Sequence, residues 1–519
     1  MCTRTEGRAG TLIVPVEVAH STGRRVRSCL AGELLRHDPA EGDPEDVGTL
    51  SRGLPIRSDP CAGRASAMSR GSESRPSMST TLRRRPVPLR DNARVRVLAS
   101  SSPIYAHTVN AAPFLQGLAD RGAEVHWGVA SPWVDLPAVP RARVWDTGPV
   151  PQYHPRRGRV RGVSARYNWL LADARDRARA VRDLVERVAP DVVLTDSLGY
   201  SGAVVCERLG VPWVSFGDGP LHYPDPTTPP FGAGLPYRTA GPWVQRNLAV
   251  QAASRRLVMA AAQARYDALR DDLGLPLGGP PVLEAALSPL LHLHCGAPEL
   301  EYPRADLPRH VHFVGALRPP MPWGWAPPAW WRGLVEDHSG DVVLVTQGTL
   351  RSDPREVLAP ALEALRALRR PAVLTTGAGD PRSLGGPGLV TGPSVPGVAV
   401  ESFVPYEAVL PHAGAFVTNG GWTGVLLALA HGTPVLQVGR TEEKADIGRR
   451  VEWAGAGLHL GDAHPEPRRL RRALERVEED RYRQAARSVA ASLATRDPGR
   501  DGAELIARTI GRVVGAPGG

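Results

Sequence analysis

The sequence predicts an α/β protein made of two successive nucleotide-fold-like halves that face a cleft. Three observations carry this expectation. Short apolar β-type runs alternate with helical segments, without the strict polar–apolar alternation of a half-exposed sheet, as parallel sheets covered on both faces require. The pattern stops at a Pro- and Trp-rich stretch, RPPMPWGWAPPAWW at residues 318–331, and then restarts. Several strands end in glycine- or acid-bearing turns, the places where such folds meet their ligands.

Residues 1–92 are rich in Arg, Ser, Gly and Pro and weakly periodic, so they are expected to be a disordered leader or sequence upstream of a start such as Met78. Order is expected from residue 95, with a β-type run at 95–99 and then the loop SSPIYAH. Next comes a helix whose apolar face carries Phe114, Leu115 and Leu118 and which closes at Gly122, followed by a strand at 124–129. Further βα alternation follows at 192–194, 202–209 and 211–216. Residues 217–237 hold too much Pro and Gly for regular structure and carry His222, Tyr223, Phe231 and Tyr237, the composition of a binding loop. A long arginine-bearing helix is expected over 244–273, and strands near 291–294 and 311–314. The first half is thus placed at 93–317, the stiff linker at 318–332 and the second half at 333–519.

In the second half, 342–345 reads as a strand, TQGT as a turn, 356–368 as a helix, and 372–374 and 398–403 as strands. The richest stretch is 416–460. A β-type run ends at Thr418, Gly420 and Gly421 permit a sharp turn, and an apolar helical run from Val425 closes at Gly432. Such a turn aims the free N–H groups of a helix at one point, where a phosphate can sit. The loop after the next strand carries Glu442, Glu443 and Lys444, and Lys444 is the only lysine among 519 residues. A chain that otherwise uses arginine keeps a compact ammonium here, and the two cations are not interchangeable at a close polar contact.

The composition, 42% hydrophobic and 22% charged, is that of a soluble globular protein. The net charge of +10 comes largely from arginines scattered along helical patterns, as at Arg175, Arg177, Arg179 and Arg182, which argues against a nucleic-acid partner. No apolar run approaches the roughly 20 residues of a membrane span. Cys2, Cys29, Cys61, Cys206 and Cys295 show no CxxC spacing, which points to the reducing cytoplasm. GxxxxGK[ST], HExxH and an Asp-x-Asp pair are all missing, so metal-independent chemistry is expected.

Among chemistry-bearing residues, His107 follows the first strand and would project over the strand ends with a pKa suited to a general base. Asp196 ends the strand PDVVLTD, where it either caps the next helix or orients His107 as a carboxylate partner. Gly348 and Thr349 after one strand, with Asn419, Gly420, Gly421, Thr423 and Gly424 after another, could close on one diphosphate from two sides.

These residues resemble the family 1, UDP-glycosyltransferase-like enzymes of the GT-B fold, especially bacterial members that decorate natural products. The resemblance covers about residues 93–515 and is strongest over FVPYEAVLPHAGAFVTNGGWTGVLLALAHGTPVLQVGRTEEKADIGRRVEWAGAG, which is similar to the donor-binding signature of that family. It implies transfer of a sugar from a nucleoside diphosphate to an acceptor hydroxyl with inversion, His107 falling on the catalytic histidine of that family. Val404 and Tyr406 fall on the base-binding turn, and Glu443 and Lys444 on the Asp-Gln pair that reads sugar hydroxyls. Asn419 stands where many relatives carry histidine, and the carboxylate partner is in several of them a few residues beyond Asp196, where this chain has Ser201, Gly202 and Ala203.

Trp213, Phe216, Phe231 and Tyr237 are expected to hold a small hydrophobic acceptor, a secondary metabolite, in a cytoplasmic monomer or homodimer with no cofactor beyond the nucleotide sugar. The alternatives are a cell-envelope lipid glycosyltransferase, a nucleotide-sugar epimerase of the same fold, or a catalytically silent nucleotide-sugar-binding activator.

Overall fold

The computed structural model describes residues 94–514, except 137–138, 154–158, 277, 305, 320–324, 349–350, 352, 378, 386–387 and 391–396, and two short strands nearer the start. Those strands, β1 (Val16–Ala19) and β2 (Arg25–Ser28), pair antiparallel within a unit of their own at residues 1–80. The leader expected at 1–92 otherwise falls outside the described residues.

The second unit holds two sheets. The first comprises β3 (Arg96–Ser100), β4 (Glu124–Val129), β5 (Ala142–Asp146), β6 (Val192–Asp196), β7 (Trp213–Gly217), β8 (His292–Cys295) and β9 (Val311–Gly315). They lie in the order β5-β4-β3-β6-β7-β8-β9, all parallel. The second comprises β10 (Val342–Thr346), β11 (Ala372–Thr375), β12 (Gly388–Val390), β13 (Val398–Glu401), β14 (Ala413–Thr418), β15 (Val435–Gln437) and β16 (Gly457–His459). Their order is β12-β13-β11-β10-β14-β15-β16, with β12 antiparallel at one edge. Every residue of β6 and of β10 is buried, as strands that lie between two helical layers should be.

In each sheet the strand order reverses beside the first strand, between β3 and β6 and between β10 and β14, and ligands of such sheets bind outside the carboxyl ends at that crevice. The registers keep those ends level. Ser100 lies across from Thr195, Asp196 from Phe216, and Thr346 from both Thr375 and Thr418.

Two details differ from the sequence reading, and the expected stiff linker has visible anchors. The helix expected over 244–273 is two helices, Gly241–Ala253 and Ala260–Asp272, joined by a wider π-type turn at Ser254–Val258. The described part of the linker is anchored by tryptophans: Trp331 is buried, its ring 5.5 Å from that of Trp325, and Trp330 donates to Glu401 at 3.1 Å. The last helix, Pro498–Val514, was grouped with the second half but packs on the first. Gly502 sits against the Phe114 ring, Gly499 against Gly117, and Arg121 donates to the Arg500 carbonyl at 3.0 Å.

Candidate active site

A cavity of about 730 Å3 lies between the two sheets and is lined from both halves. On one wall the short helix Tyr105–Asn110 follows β3 and presents His107, which is 7% exposed. Asp196, at the end of β6, is sealed from solvent; its Oδ1 lies 3.1 Å from His107 Nδ1. The same carboxylate accepts the backbone N–H groups of Ser102 at 2.7 Å and Leu198 at 2.9 Å, which fix it in the turn. The helix that follows, Tyr200–Leu209, begins at Gly199 with no side-chain cap, so Asp196 faces the histidine rather than capping that helix. Among the described residues His107 Nε2 has no hydrogen-bond partner, and the ring borders the cavity.

A second carboxylate, overlooked in the sequence, stands beside the first. Asp218 follows β7 directly and places Oδ1 3.0 Å from the same Nδ1, outside hydrogen-bond alignment. Its other oxygen accepts from Asn110 at 2.8 Å. The signal was available, since Asp218 ends its strand in WVSFGD as Asp196 ends PDVVLTD. Burial disfavours a charged imidazole at His107, but the Asp218 charge and the Asp196 hydrogen bond outweigh it and raise the pKa above 6.5. Burial also opposes charge on Asp196, where the imidazole and the two backbone N–H groups prevail and hold its pKa low. At Asp218 burial wins over His107 and Asn110, and the carboxyl is pushed up.

The facing wall belongs to the second half. Helix Trp422–Ala430 starts at Gly421, with no side-chain cap on its first N–H groups. Gly420 has φ +109, the left-handed region that favours glycine. The helix start is pinned to the first half by Trp422, which donates to the Cys295 carbonyl at 2.8 Å, and by Thr423 Oγ1, which accepts from Asn110 at 2.8 Å. Gly348, Val404, Tyr406, Gly421, Thr423 and Gly424 all line the cavity, and the Tyr406 hydroxyl lies 2.6 Å from Thr346 Oγ1. Thr349 lies outside the described residues.

Asn419 and Gly420 do not line the cavity. Asn419 is 4% exposed; its backbone carbonyl accepts from Gln437 at 2.9 Å and its side-chain oxygen lies against Gly439, while its Nδ2 has no hydrogen-bond partner among the described residues.

Glu443 and Lys444 reach the cavity as part of a buried ion group. Arg166, on helix Arg159–Ala172 of the first half, donates to both carboxylate oxygens of Glu443 at 2.8 Å and lies 3.7 Å from Glu442. Lys444 Nζ donates to Glu442 at 2.7 Å, and the Tyr153 hydroxyl donates to the other Glu442 oxygen. Burial works against both carboxylates, yet Lys444 and Arg166 hold Glu442 low and Arg166 and Lys444 hold Glu443 low. Arg166 had no local signal in the sequence, its partner being 277 residues away.

Of the four aromatics expected at the acceptor, only Phe231 lines the cavity, its ring 4.1 Å from that of His222. Phe216 is 1% exposed and packs on Phe114 inside the sheet core. Trp213, at the start of β7, is at the far end of the strand from the cleft. Tyr237 stacks on Tyr302 at 4.8 Å and abuts Trp453, away from the cavity. Tyr105 and Tyr167 line it instead.

Two sheets of this kind with such a cleft define a GT-B glycosyltransferase. Residues 390–507 match the erythromycin biosynthesis protein CIII-like C-terminal domain. The chain is 34% identical over 425 residues to the 4'-demethylrebeccamycin synthase of Lentzea aerocolonigenes, covering 79% of this chain and 98% of that protein. It therefore belongs to the family of bacterial natural-product glycosyltransferases of the GT-B type. Among solved structures, the glycosyltransferase of kitacinnamycin superposes with TM-score 0.59 at 22% identity, covering 80% of this chain and 99% of the other. VinC, solved in complex with dTDP, gives 0.57 at 19%, covering 80% and 100%.

Proposed function

We propose that the protein moves a sugar from a nucleoside diphosphate to a hydroxyl of a hydrophobic secondary metabolite in the cytoplasm, with inversion and without a metal. The observation that carries this is the placement of the unpartnered Nε2 face of His107 and the uncapped start of helix Trp422–Ala430 on opposite walls of one cavity.

In the proposed step Nε2 accepts the acceptor hydroxyl proton, and the oxygen bonds to the anomeric carbon from the face opposite the diphosphate. The anomeric carbon–oxygen bond breaks with its electron pair leaving on the diphosphate, whose growing charge meets the helix N–H groups and the Thr423 hydroxyl. One displacement of this kind inverts the centre. The dTDP in VinC supports a nucleoside diphosphate ligand, and the demethylrebeccamycin synthase supports a natural-product acceptor. Tyr105, Tyr167 and Phe231 supply apolar surface for it.

Incubation with a panel of nucleotide sugars and aromatic or polyketide acceptors should give a product heavier by one sugar residue in mass spectra, with its anomeric configuration inverted by NMR. Activity should persist in EDTA and fall by about 10²–10⁴-fold in His107→Ala. A retained configuration, or loss of activity in EDTA restored by a divalent cation, would count against it.

A further inference from the structure

We infer that Asp218 is a second positioning carboxylate for the His107 imidazole, flanking Nδ1 with Asp196 and tied through Asn110 to the donor-side helix at Thr423.

The neutral imidazole that can act as base at Nε2 carries one proton on Nδ1, and that proton is directed at Asp196, 3.1 Å away. Asp218 Oδ1, 3.0 Å from the same nitrogen on a side chain 2% exposed, is left with no hydrogen-bond donor. A sealed carboxylate oxygen without a donor is unfavourable unless charge appears beside it. That charge appears when Nε2 takes the acceptor proton and the ring becomes an imidazolium between two acids.

Asn110 holds the second acid in place. Its Nδ2 donates to Asp218 Oδ2 and to Thr423 Oγ1, each at 2.8 Å, so one amide joins the base's partner to the first turn of the helix opposite. The groups that face His107 are Asp196 from β6, Asp218 from the loop after β7 and Arg166 from helix Arg159–Ala172. Of these, Arg166 alone opposes protonation. Asp218 itself faces His107, Asp196 and the buried Cys295 thiol of β8. The raised carboxyl of Asp218 beside the lowered one of Asp196 fits two acids with different duties.

This inference rests on the reading of His107 as base, and the test separates the two. In the full chain labelled with 13C-histidine, the His107 ring signal, assigned by its loss in His107→Gln, is titrated alongside the pH profile of kcat/KM. Asp218→Asn should lower the His107 pKa by about one unit. The acid limb of the profile should move down equally, and kcat should drop roughly tenfold at the optimum with acceptor KM little changed. Where Asp218→Asn folds poorly, Asp218→Ser carries the same titration. A His107 pKa unchanged in both variants overturns the inference, whatever their thermal stability. If His107→Gln keeps full activity while Asp218→Asn still shifts the titration, the pairing stands and the base assignment fails.

Discussion

Replacing Arg166 with methionine removes a guanidinium from the buried ion group that joins the halves. In the intact protein Arg166 and Lys444 face Glu442 and Glu443, two charges of each sign. Arg166→Met keeps most of the apolar stem and leaves one negative charge in excess where burial already disfavours carboxylates. Removing one partner of a buried pair costs about 3–5 kcal/mol. The low end applies here, because the Glu443 side chain keeps 19% of its exposure. In a chain of this size that corresponds to a fall in Tm of roughly 3–4 °C. The two cations hold both carboxyls below 4.5, so their contribution to stability is full above that pH and is lost as pH falls below it. The gap between wild type and variant should therefore be complete at pH 7 and narrow in acid. Calorimetry at pH 7, 5.5 and 4 measures it, and adding Glu443→Gln to Arg166→Met should restore part of the loss. An unchanged Tm at pH 7, or a gap that widens in acid, would refute the buried pairing.

Four further outcomes are expected. His107→Ala should lower kcat by about 10²–10⁴-fold at unchanged fold, as judged by circular dichroism. The wild-type pH profile should lose activity in acid with an apparent pKa above 6.5, because His107 must be neutral to accept a proton and its surroundings favour the charged ring; steady-state rates between pH 5 and 9 check this. Asn419→Ala should leave the donor KM within about twofold, since Asn419 is not among the residues lining the cavity, whereas Lys444→Ala should raise it. Gly117→Ala should cost about 1–3 kcal/mol in urea unfolding, because the added Cβ would lie 2.0 Å from the Gly499 carbonyl oxygen.

The elements that were legible in the sequence are the local ones. The strand, glycine turn and helix over 416–430 follow from residues within one turn of each other, and so does His107 after β3. The contacts that build the cavity are not local: Asn110 meets Thr423 across 313 residues. Nothing in the neighbourhood of Asn110 or Arg166 announces such a partner. The misplaced aromatics have a different cause. When both faces of a sheet are covered, apolar residues point to both faces of a strand, and the run no longer tells which side chain sits at the ligand edge and which lies in the core. Phe216 and Trp213 were indistinguishable from lining residues on that account. Asp218 was readable, as an acid at a strand end, but a carboxylate in a glycine-rich loop looks like an ordinary turn residue until the imidazole is beside it.

The return of helix Pro498–Val514 to the first half bears on how the chain is made. Phe114 and Leu293 on the first half remain without their cover at Gly502 until both sheets have been synthesised. Domains usually fold in the order they are synthesised. Here the earlier half must wait, with an apolar patch open, for a helix made after the second sheet. A nascent chain stalled after the second sheet would therefore still expose the apolar surface that helix Pro498–Val514 covers.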